Sequence, residues 1–241
     1  MQTLSTNILK LIYAFIVWLA TATVLFAAPC PEHITADSWI NNFAGDKQTQ
    51  LDFFARLRTC LPGDEKKQEE VDKLAVNSLV SLESLPKEDQ KSLVAFTLQA
   101  LLINAKAGFP SSQHNYAALH NAEPDTLLQR LVAQNYSTFI YWTRKAAAQK
   151  EPRALFNLAT RMADGEPVQG LPQDLPTAYT ILAFLEHFYS KEQLLPPEML
   201  TYIKKTREKI SKKLGVNRTR QLDATITTFD FSTLAPTAQI Q

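Results

Sequence analysis

Residues 141–185 read YWTRKAAAQKEPRALFNLATRMADGEPVQGLPQDLPTAYTILAFL, and they say more about the architecture than any other part of the chain. Small residues recur there at Ala146, Ala147, Ala154 and Ala178. Small side chains let paired helices approach closely, while larger ones fill the groove between neighbouring pairs. The pattern therefore predicts closely packed antiparallel helices, and the residues expected to fill the grooves are Leu155, Leu158, Met162, Ile181 and Leu182.

The same stretch resembles the Sel1-like repeat, a relative of the tetratricopeptide repeat. In that family a Trp/Tyr pair precedes Lys-Ala-Ala, an Ala-x-x-x-Leu-Gly helix runs to a Gly-x-Gly-Val turn, and Asp-x-x-x-Ala begins the next helix. The matching positions here are Tyr141, Trp142, Ala146, Ala147, Ala154, Leu158, Gly165, Val168, Asp174 and Ala178. The chain departs from the pattern at Ala159 and Pro167, which replace glycines, and in about three extra residues before Asp174.

The resemblance implies an all-α fold in which antiparallel helical hairpins stack as a short array after an N-terminal helical unit. Modules of this kind need about three neighbours to bury a continuous core. We therefore expect degenerate repeats on both sides of the match, at 113–140 and 196–214, within a repeat region that spans 113–223. A tail at 224–241 lacks helical period and is expected to be flexible or extended.

Glycine and proline usage also predicts helices. The chain has six Gly and 13 Pro, and the prolines separate long apolar-periodic stretches. Pro124, Pro152 and Pro197 are placed to start helices, and Gly165 and Gly215 to end them. The predicted helices are 46–61, 64–81, 86–107, 113–121, 124–134, 137–149, 152–164, 175–190 and 196–214.

Helical spacing assigns the buried faces of the N-terminal unit. In the helix predicted at 46–61, the inward residues are expected to be Leu51, Phe54 and Leu57. In the helix predicted at 64–81, they are expected to be Val71, Leu74, Leu79 and Val80. The helix at 86–107 is expected to be the most buried, and the break at 108–112 is the predicted boundary of this unit.

The first 28 residues are typical of an export segment. Lys10 is followed by an uncharged apolar run from Leu11 to Ala28, and Ala27 and Ala28 supply small residues before a cleavage site. A cleaved signal peptide is the first interpretation, and it makes the protein secreted or periplasmic. A retained single membrane anchor is the alternative, because the run approaches the length of a spanning helix. Acylation of Cys30 is disfavoured because proline precedes it.

The chain has two cysteines, Cys30 and Cys60. Export would bring both into an oxidising compartment, where we expect a disulfide bond; two unrelated thiols are the alternative. Their spacing matches neither a CxxC redox motif nor a zinc motif. The bond would lie in the N-terminal helical unit, at 29–108, and would stabilise it by about 3–4 kcal/mol on the chain-entropy model.

Aromatic and basic side chains are the candidates for partner binding. Tyr and Trp are effective anchors in a peptide-binding groove, and the candidates in the repeat region are Tyr136, Tyr141, Trp142 and Tyr179. Residues 203–220 predict a basic amphipathic helix, which is either attracted to an acidic protein or an anionic membrane surface, or an ordinary solvated face. Its candidate residues are Lys204, Lys205, Arg207, Lys212 and Lys213.

Composition and motifs argue against several functions. A total of 25 Lys and Arg against 24 Asp and Glu gives a net charge of +1, which argues against a nucleic-acid binder that neutralises many phosphates. The four histidines lack metal-site spacing, and the motifs of serine nucleophiles, dinucleotide sites and P-loops are absent. We therefore expect no metal, no cofactor and no catalysis.

Two functional hypotheses follow from the leader and the repeat. The favoured one is an exported helical-repeat adaptor that binds a protein or peptide partner. The alternative is a secreted or periplasmic hydrolase that acts on envelope polymers or glycans through paired carboxylates. The compartment alone supports the hydrolase, whereas the compartment and the repeat together support the adaptor.

Overall fold

The structure, a computed structural model, describes residues 30–80, 82–121, 127, 131–165, 171–189 and 196–237. These residues are largely helical and contain no β-strand, so the predicted all-α class is confirmed. The predictions for the leader at 1–28, for most of the helix at 124–134 and for the turn at 167–168 lie outside the described residues.

The described helices follow one another with short connections. Those before residue 108 are α1 Ala36–Ala44, α2 Lys47–Cys60, α3 Glu65–Val80, a short 3-10 turn Leu82–Ser84, and α4 Lys87–Lys106. Those after it are α5 Pro110–His120, α6 Tyr136–Ala148, α7 Pro152–Asp164, α8 Leu175–Phe184 with a π-helical extension Leu185–Tyr189, α9 Pro197–Leu214 and α10 Val216–Asp223. The chain ends in two 3-10 turns, Ile226–Thr228 and Phe231–Leu234.

Successive helices pack against each other as antiparallel hairpins, and this places them in two layers. We call α3, α5, α7 and α9 the front layer. Contacts across it join α3 to α5 through Asp72 and Ser112, α5 to α7 through Ser111 and Arg153, and α7 to α9 through the rings of Phe156 and Tyr202. The alternate helices α4, α6 and α8 form the back layer.

The largest core fills the space among α6, α7, α8 and α9. The predicted close-contact alanines, Ala146, Ala147, Ala154 and Ala178, are all fully buried in it, as is Ala159. The predicted groove fillers are buried in the same cluster: Leu155, Leu158, Met162, Ile181 and Leu182. The helix pair predicted from these residues is therefore confirmed.

The ends of α7 and α8 are fixed by capping residues. Pro152 is the first residue of α7, where Glu151 accepts a hydrogen bond from the backbone N–H of Ala154 at 2.6 Å. Asp174 caps α8 by accepting from the N–H of Thr177 at 3.0 Å. Gly165 ends α7 at φ 78°, and a Cβ there would lie 2.9 Å from Gln173, so both the backbone angle and the space require glycine.

A second core lies among α1, α2, α3 and α4. Phe96 of α4 is at its centre, with ring centroids 5.1 Å from Trp39 and 5.0 Å from Phe54. It stacks on Phe53 at 5.6 Å. Residues from Ile34 onward form one compact unit, so this core is not a separate body from the repeat-like helices.

Both cysteines are disulfide-bonded, as expected, and no free cysteine occurs among the described residues. Since the chain has only these two, the bond joins Cys30 to Cys60. Cys60 is the last residue of α2 and is buried. The alternative of two unrelated thiols is wrong.

Two of the residues predicted to face inward are exposed. Leu51 is 48% exposed, because α2 instead buries Phe53, Phe54 and Leu57. Val80 is 80% exposed, because it is the last residue of α3, beyond the helical turns that Val71 and Ala75 anchor in the core. The helix expected at 113–121 also begins earlier, at Pro110, because the fixed φ of proline suits a first helical position.

The tail was expected to be flexible or extended, but residues 224–237 are folded onto the core. Phe231 and Leu234 are buried, and the ring of Phe231 lies 4.5 Å from that of Phe184 in α8. The carbonyl of Leu234 accepts a hydrogen bond from Arg144 Nε of α6 at 2.9 Å. Isolated 3-10 turns are too short to show the periodic spacing of apolar residues that marks a helix. The sequence pattern therefore does not predict that the tail packs on the core.

A buried polar seam links α3 to α5. The carboxylate of Asp72 accepts hydrogen bonds from Ser111 Oγ and Ser112 Oγ, each at 2.7 Å, and from Asn115 Nδ2 at 2.9 and 3.1 Å. Ser112 Oγ also accepts from Asn104 Nδ2 of α4 at 2.8 Å. A buried carboxylate with this many donors is satisfied, whereas its removal would leave the donors without an acceptor.

The seam continues from α5 to α7. Arg153 Nη2 donates to Ser111 Oγ at 2.9 Å, and Arg153 Nε donates to Glu151 Oε1 at 2.9 Å. His114 is buried, and its Nδ1 lies 3.9 Å from Glu151 Oε2, too far for a hydrogen bond. Burial lowers the pKa of His114 to about 3, and the positive charge of Arg153 adds to this shift. Burial raises the pKa of Glu151 above its usual range, against opposing contributions from Arg153.

Replacement of Asp72 by alanine tests the seam. We expect Asp72→Ala to lower the free energy of unfolding by about 2–4 kcal/mol, since it leaves buried donors on Ser112 and Asn115 unpaired. Urea unfolding monitored by circular dichroism measures this. The control is Asp52→Ala, which removes an exposed carboxylate of α2 bonded to Gln48. Equal losses in both variants would contradict the role of the seam.

The depressed pKa of His114 predicts acid sensitivity. Between about pH 6.5 and pH 3 the unfolded chain takes up a proton at this residue and the folded chain does not, so stability falls as the pH falls. At pH 4.5 the cost is about 2–3 kcal/mol. His114→Gln should remove this part of the difference in unfolding free energy between pH 7 and pH 4.5, as measured by urea unfolding at the two pH values. An unchanged pH dependence in His114→Gln would contradict the assignment.

Candidate interaction surface

An apolar depression opens on the front layer between α3 and α5, and we call it the front notch. It has a volume of about 290 Å³ and is lined by Val76, Leu79, Val80, Leu101, Asn115, Ala118 and Leu119. Val80 is 80% exposed and Val76 is 37% exposed, which is unusual for branched apolar side chains in one patch. The front notch is therefore an apolar surface without a covering element among the described residues.

Asn115 connects the front notch to the buried seam. Its Nδ2 donates to both carboxylate oxygens of Asp72, which fixes the orientation of the side chain. No donor among the described residues bonds to its Oδ1 atom, and Asn115 is one of the residues that line the notch. The front notch thus combines apolar walls with a positioned amide oxygen.

A pair of aromatic rings lies farther along the front layer. The ring of Phe156 in α7 is 5.5 Å from that of Tyr202 in α9, in an edge-to-face arrangement. Tyr202 is 49% exposed, and Phe156 is half-buried beneath it. Tyr202 therefore presents an aromatic surface to solvent at the α9 end of the front layer.

The predicted aromatic anchors differ in their accessibility. Trp142 and Tyr179 are only 7% and 3% exposed, so they are packing residues rather than surface anchors. Tyr136 and Tyr141 are half-buried. Lys145 Nζ lies 5.6 Å from the ring of Tyr141 and 5.2 Å from that of Trp142, which partly covers this surface of α6. The sequence pattern could not separate core from surface at these four positions.

The five predicted basic residues do not form a single cluster. Arg207 is half-buried; it forms an ion pair with Glu186 and lies 5.3 Å over the ring of Tyr179. Lys204 and Arg207 line two shallow depressions of about 280 and 340 Å³ beside α8. Lys212 pairs with Glu208 at 2.8 Å on the surface. The other two residues, Lys205 and Lys213, are exposed.

The carboxylates of these depressions are already bonded. Arg207 holds Glu186, and Asp223 Oδ1 accepts a hydrogen bond from the hydroxyl of Tyr179 at 2.9 Å. Burial raises the pKa of Tyr179, and the bond to Asp223 adds to this shift. A general acid or base would have to give up these partners, so nothing in this arrangement favours the hydrolase hypothesis. Within the described residues no group of three or more metal-ligating side chains converges.

The surface residues that sequence reasoning missed are Val76, Asn115 and Tyr202. Val80 is a further one, because helical spacing predicts that it faces inward and it is exposed. The places of Val76 and Val80 in α3 indicate this exposure. Val80 is the last residue of the helix, and Val76 lies one turn earlier, next to the buried residues of α3. Tyr202 lies beside the buried Ile203, where the helical period alone predicts an outward direction.

Comparisons with known proteins give little more. No family model and no curated protein matches the chain. The chain is similar to the crystal structure of c5321, a protective antigen present in uropathogenic Escherichia coli strains displaying an SLR fold. The identity is 14% and the TM-score 0.47, and the match covers 86% of this chain and 41% of that protein. This chain therefore spans less than half the length of that protein. Among the described residues no helix has the length and hydropathy needed to cross a membrane.

Proposed function

We propose that this protein is a non-catalytic adaptor that binds a polypeptide partner through the front notch. The observation that supports this is the exposure of Val76 and Val80, two branched apolar side chains one helical turn apart that line the same depression of the front layer. In this proposal residues 141–185 are a degenerate Sel1-like repeat, and the degenerate repeat expected at 113–140 begins in α5 and ends in α6.

The chemistry of the front notch fits a peptide. Its volume of about 290 Å³ accommodates one or two apolar side chains. The amide oxygen of Asn115 can accept a hydrogen bond from a backbone N–H of the occupant. A polypeptide supplies both groups at adjacent positions, with an apolar side chain next to a backbone donor. Tyr202, at the other end of the front layer, offers a second contact for a longer segment.

Export is part of the same proposal. The apolar segment at 11–28 directs the chain out of the cytoplasm, and cleavage near Ala28 releases it to a secreted or periplasmic location. The Cys30–Cys60 bond supports this compartment, because disulfides persist in oxidising environments. The partner is then expected among proteins of the same compartment.

A charge placed in the front notch tests the proposal. The probe is a phage-displayed library of random short peptides, selected on the immobilised protein and then measured as free peptides by calorimetry. Selected peptides should carry an apolar anchor, and Val80→Asp should weaken their binding by about tenfold or more, because it puts an ionised group beside that anchor. Val80 is exposed, so the variant is expected to fold normally.

The matched control is Ile40→Asp, which changes an exposed apolar residue of α1 outside the front notch. It should bind the selected peptides as well as the unmodified protein does. The proposal is wrong if no peptide is enriched over the bare support, or if the two variants bind the selected peptides equally.

A further inference from the structure

The charges of this chain are unevenly distributed. Residues 204–220 hold eight of the 25 basic residues and one of the 24 acidic residues. This segment therefore has a net charge of +7 and the rest of the chain has a net charge of −6, although the whole chain has a net charge of only +1. A molecule with such a separation of charge turns its basic end toward an anionic surface as it approaches.

Four lysines of α9 share one exposed side of the helix. They are exposed, and their spacings of three, four, seven and eight positions place them on the same side of a helix. These lysines are Lys205, Lys209, Lys212 and Lys213. We call them the basic face. The opposite side of α9 is buried through Ile203 and Ile210, so the helix is anchored in the core while the basic face points to solvent.

The ion pairs of the basic face are weak. Lys212 Nζ lies 2.8 Å from Glu208, and Lys209 Nζ lies 3.9 Å from Asp164, with all four side chains more than half exposed. Exposed pairs of this kind contribute little and are screened by salt. No ion pair of Lys205 or Lys213 occurs within the described residues. Lys209 and Lys212 can therefore leave their present carboxylate partners and bind a surface of higher negative charge.

An exposed apolar residue follows α9 in the chain. Gly215, at φ 79°, ends α9 and turns the chain into α10. The next residue, Val216, is 72% exposed and stands between Lys213 and Arg218 in the chain. Apolar side chains bordered by cations are typical of segments that enter the headgroup region of a bilayer.

We propose that the basic face and Val216 dock the protein onto an anionic lipid bilayer. None of the four lysines lines the depressions described above. A lipid surface needs no depression, because its headgroups move laterally to meet the cations. Each cation held near such a surface raises partitioning by about fivefold. None of these residues lines the front notch, so the lysine variants test this proposal and Val80→Asp tests the other.

Vesicle binding of the full chain tests the proposal. The probes are vesicles of phosphatidylcholine alone and vesicles with roughly one third phosphatidylglycerol, at low salt. The readout is the ratio of the two partition coefficients, which cancels any contribution of residues 1–28 that does not depend on lipid charge. The combined variant Lys205→Gln, Lys209→Gln, Lys212→Gln and Lys213→Gln should lower this ratio by about 600-fold, which is four factors of about five.

The matched control removes the same charge elsewhere. Lys47, Lys66, Lys87 and Lys91 are exposed residues of α2, α3 and α4, and their combined replacement by glutamine should leave the ratio close to that of the unmodified protein. Equal losses in the two variants would overturn the proposal, because they would show a response to net charge alone.

Two further measurements separate a bilayer from an acidic protein. In the variant Val216→Trp, the fluorescence emission of the new tryptophan should move to shorter wavelength when anionic vesicles are added, because its ring enters the interface. Addition of polyglutamate should leave the emission unchanged. The affinity of the unmodified protein for polyglutamate is compared with its affinity for anionic vesicles at the same concentration of negative charge. If the two affinities are equal, the proposal is overturned in favour of an acidic polypeptide.

Discussion

The close approach of α6, α7 and α8 is the constraint on which the rest of the structure depends. Seven alanines lie in this contact, and none is more than slightly exposed: Ala146, Ala147, Ala154, Ala159, Ala163, Ala178 and Ala183. Without side chains larger than a methyl group the helix axes can come close, and leucine and isoleucine side chains from each helix then fill the grooves beside the contact. The folded tail packs on this same core through Phe231, which closes its C-terminal side.

The alternation of layers gives the surfaces different properties at the two ends of the array. At the α3 end, the front layer has exposed valines beside a fixed amide, in the front notch. At the α9 end, the outer side of α9 is exposed and carries the basic face. The seam from Asp72 to Glu151 lies between them and fixes the register of α3, α5 and α7 with hydrogen bonds that apolar packing alone would not specify.

The sequence predicted the helices and their contacts better than the surfaces. Prolines at first positions, glycines at ends and small residues at spaced positions are local signals, and α7, from Pro152 to Asp164, matches its prediction at both ends. Tyr179 and Trp142 could not be placed, because burial depends on the neighbouring hairpin and both types occur in cores and at interfaces. The seam and the docked tail join residues up to 90 positions apart, and no periodicity encodes such contacts.

The most direct measurement of the central claim is the unfolding free energy of Ala154→Leu beside that of Ala55→Leu. Ala154 is fully buried at the helix contact, whereas Ala55 is exposed in the middle of α2. Close packing predicts a loss of about 1–3 kcal/mol or more for Ala154→Leu and a change within about 0.5 kcal/mol for Ala55→Leu. If leucine at 154 were tolerated as well as leucine at 55, the helices would not depend on small residues to pair, and the account would be contradicted.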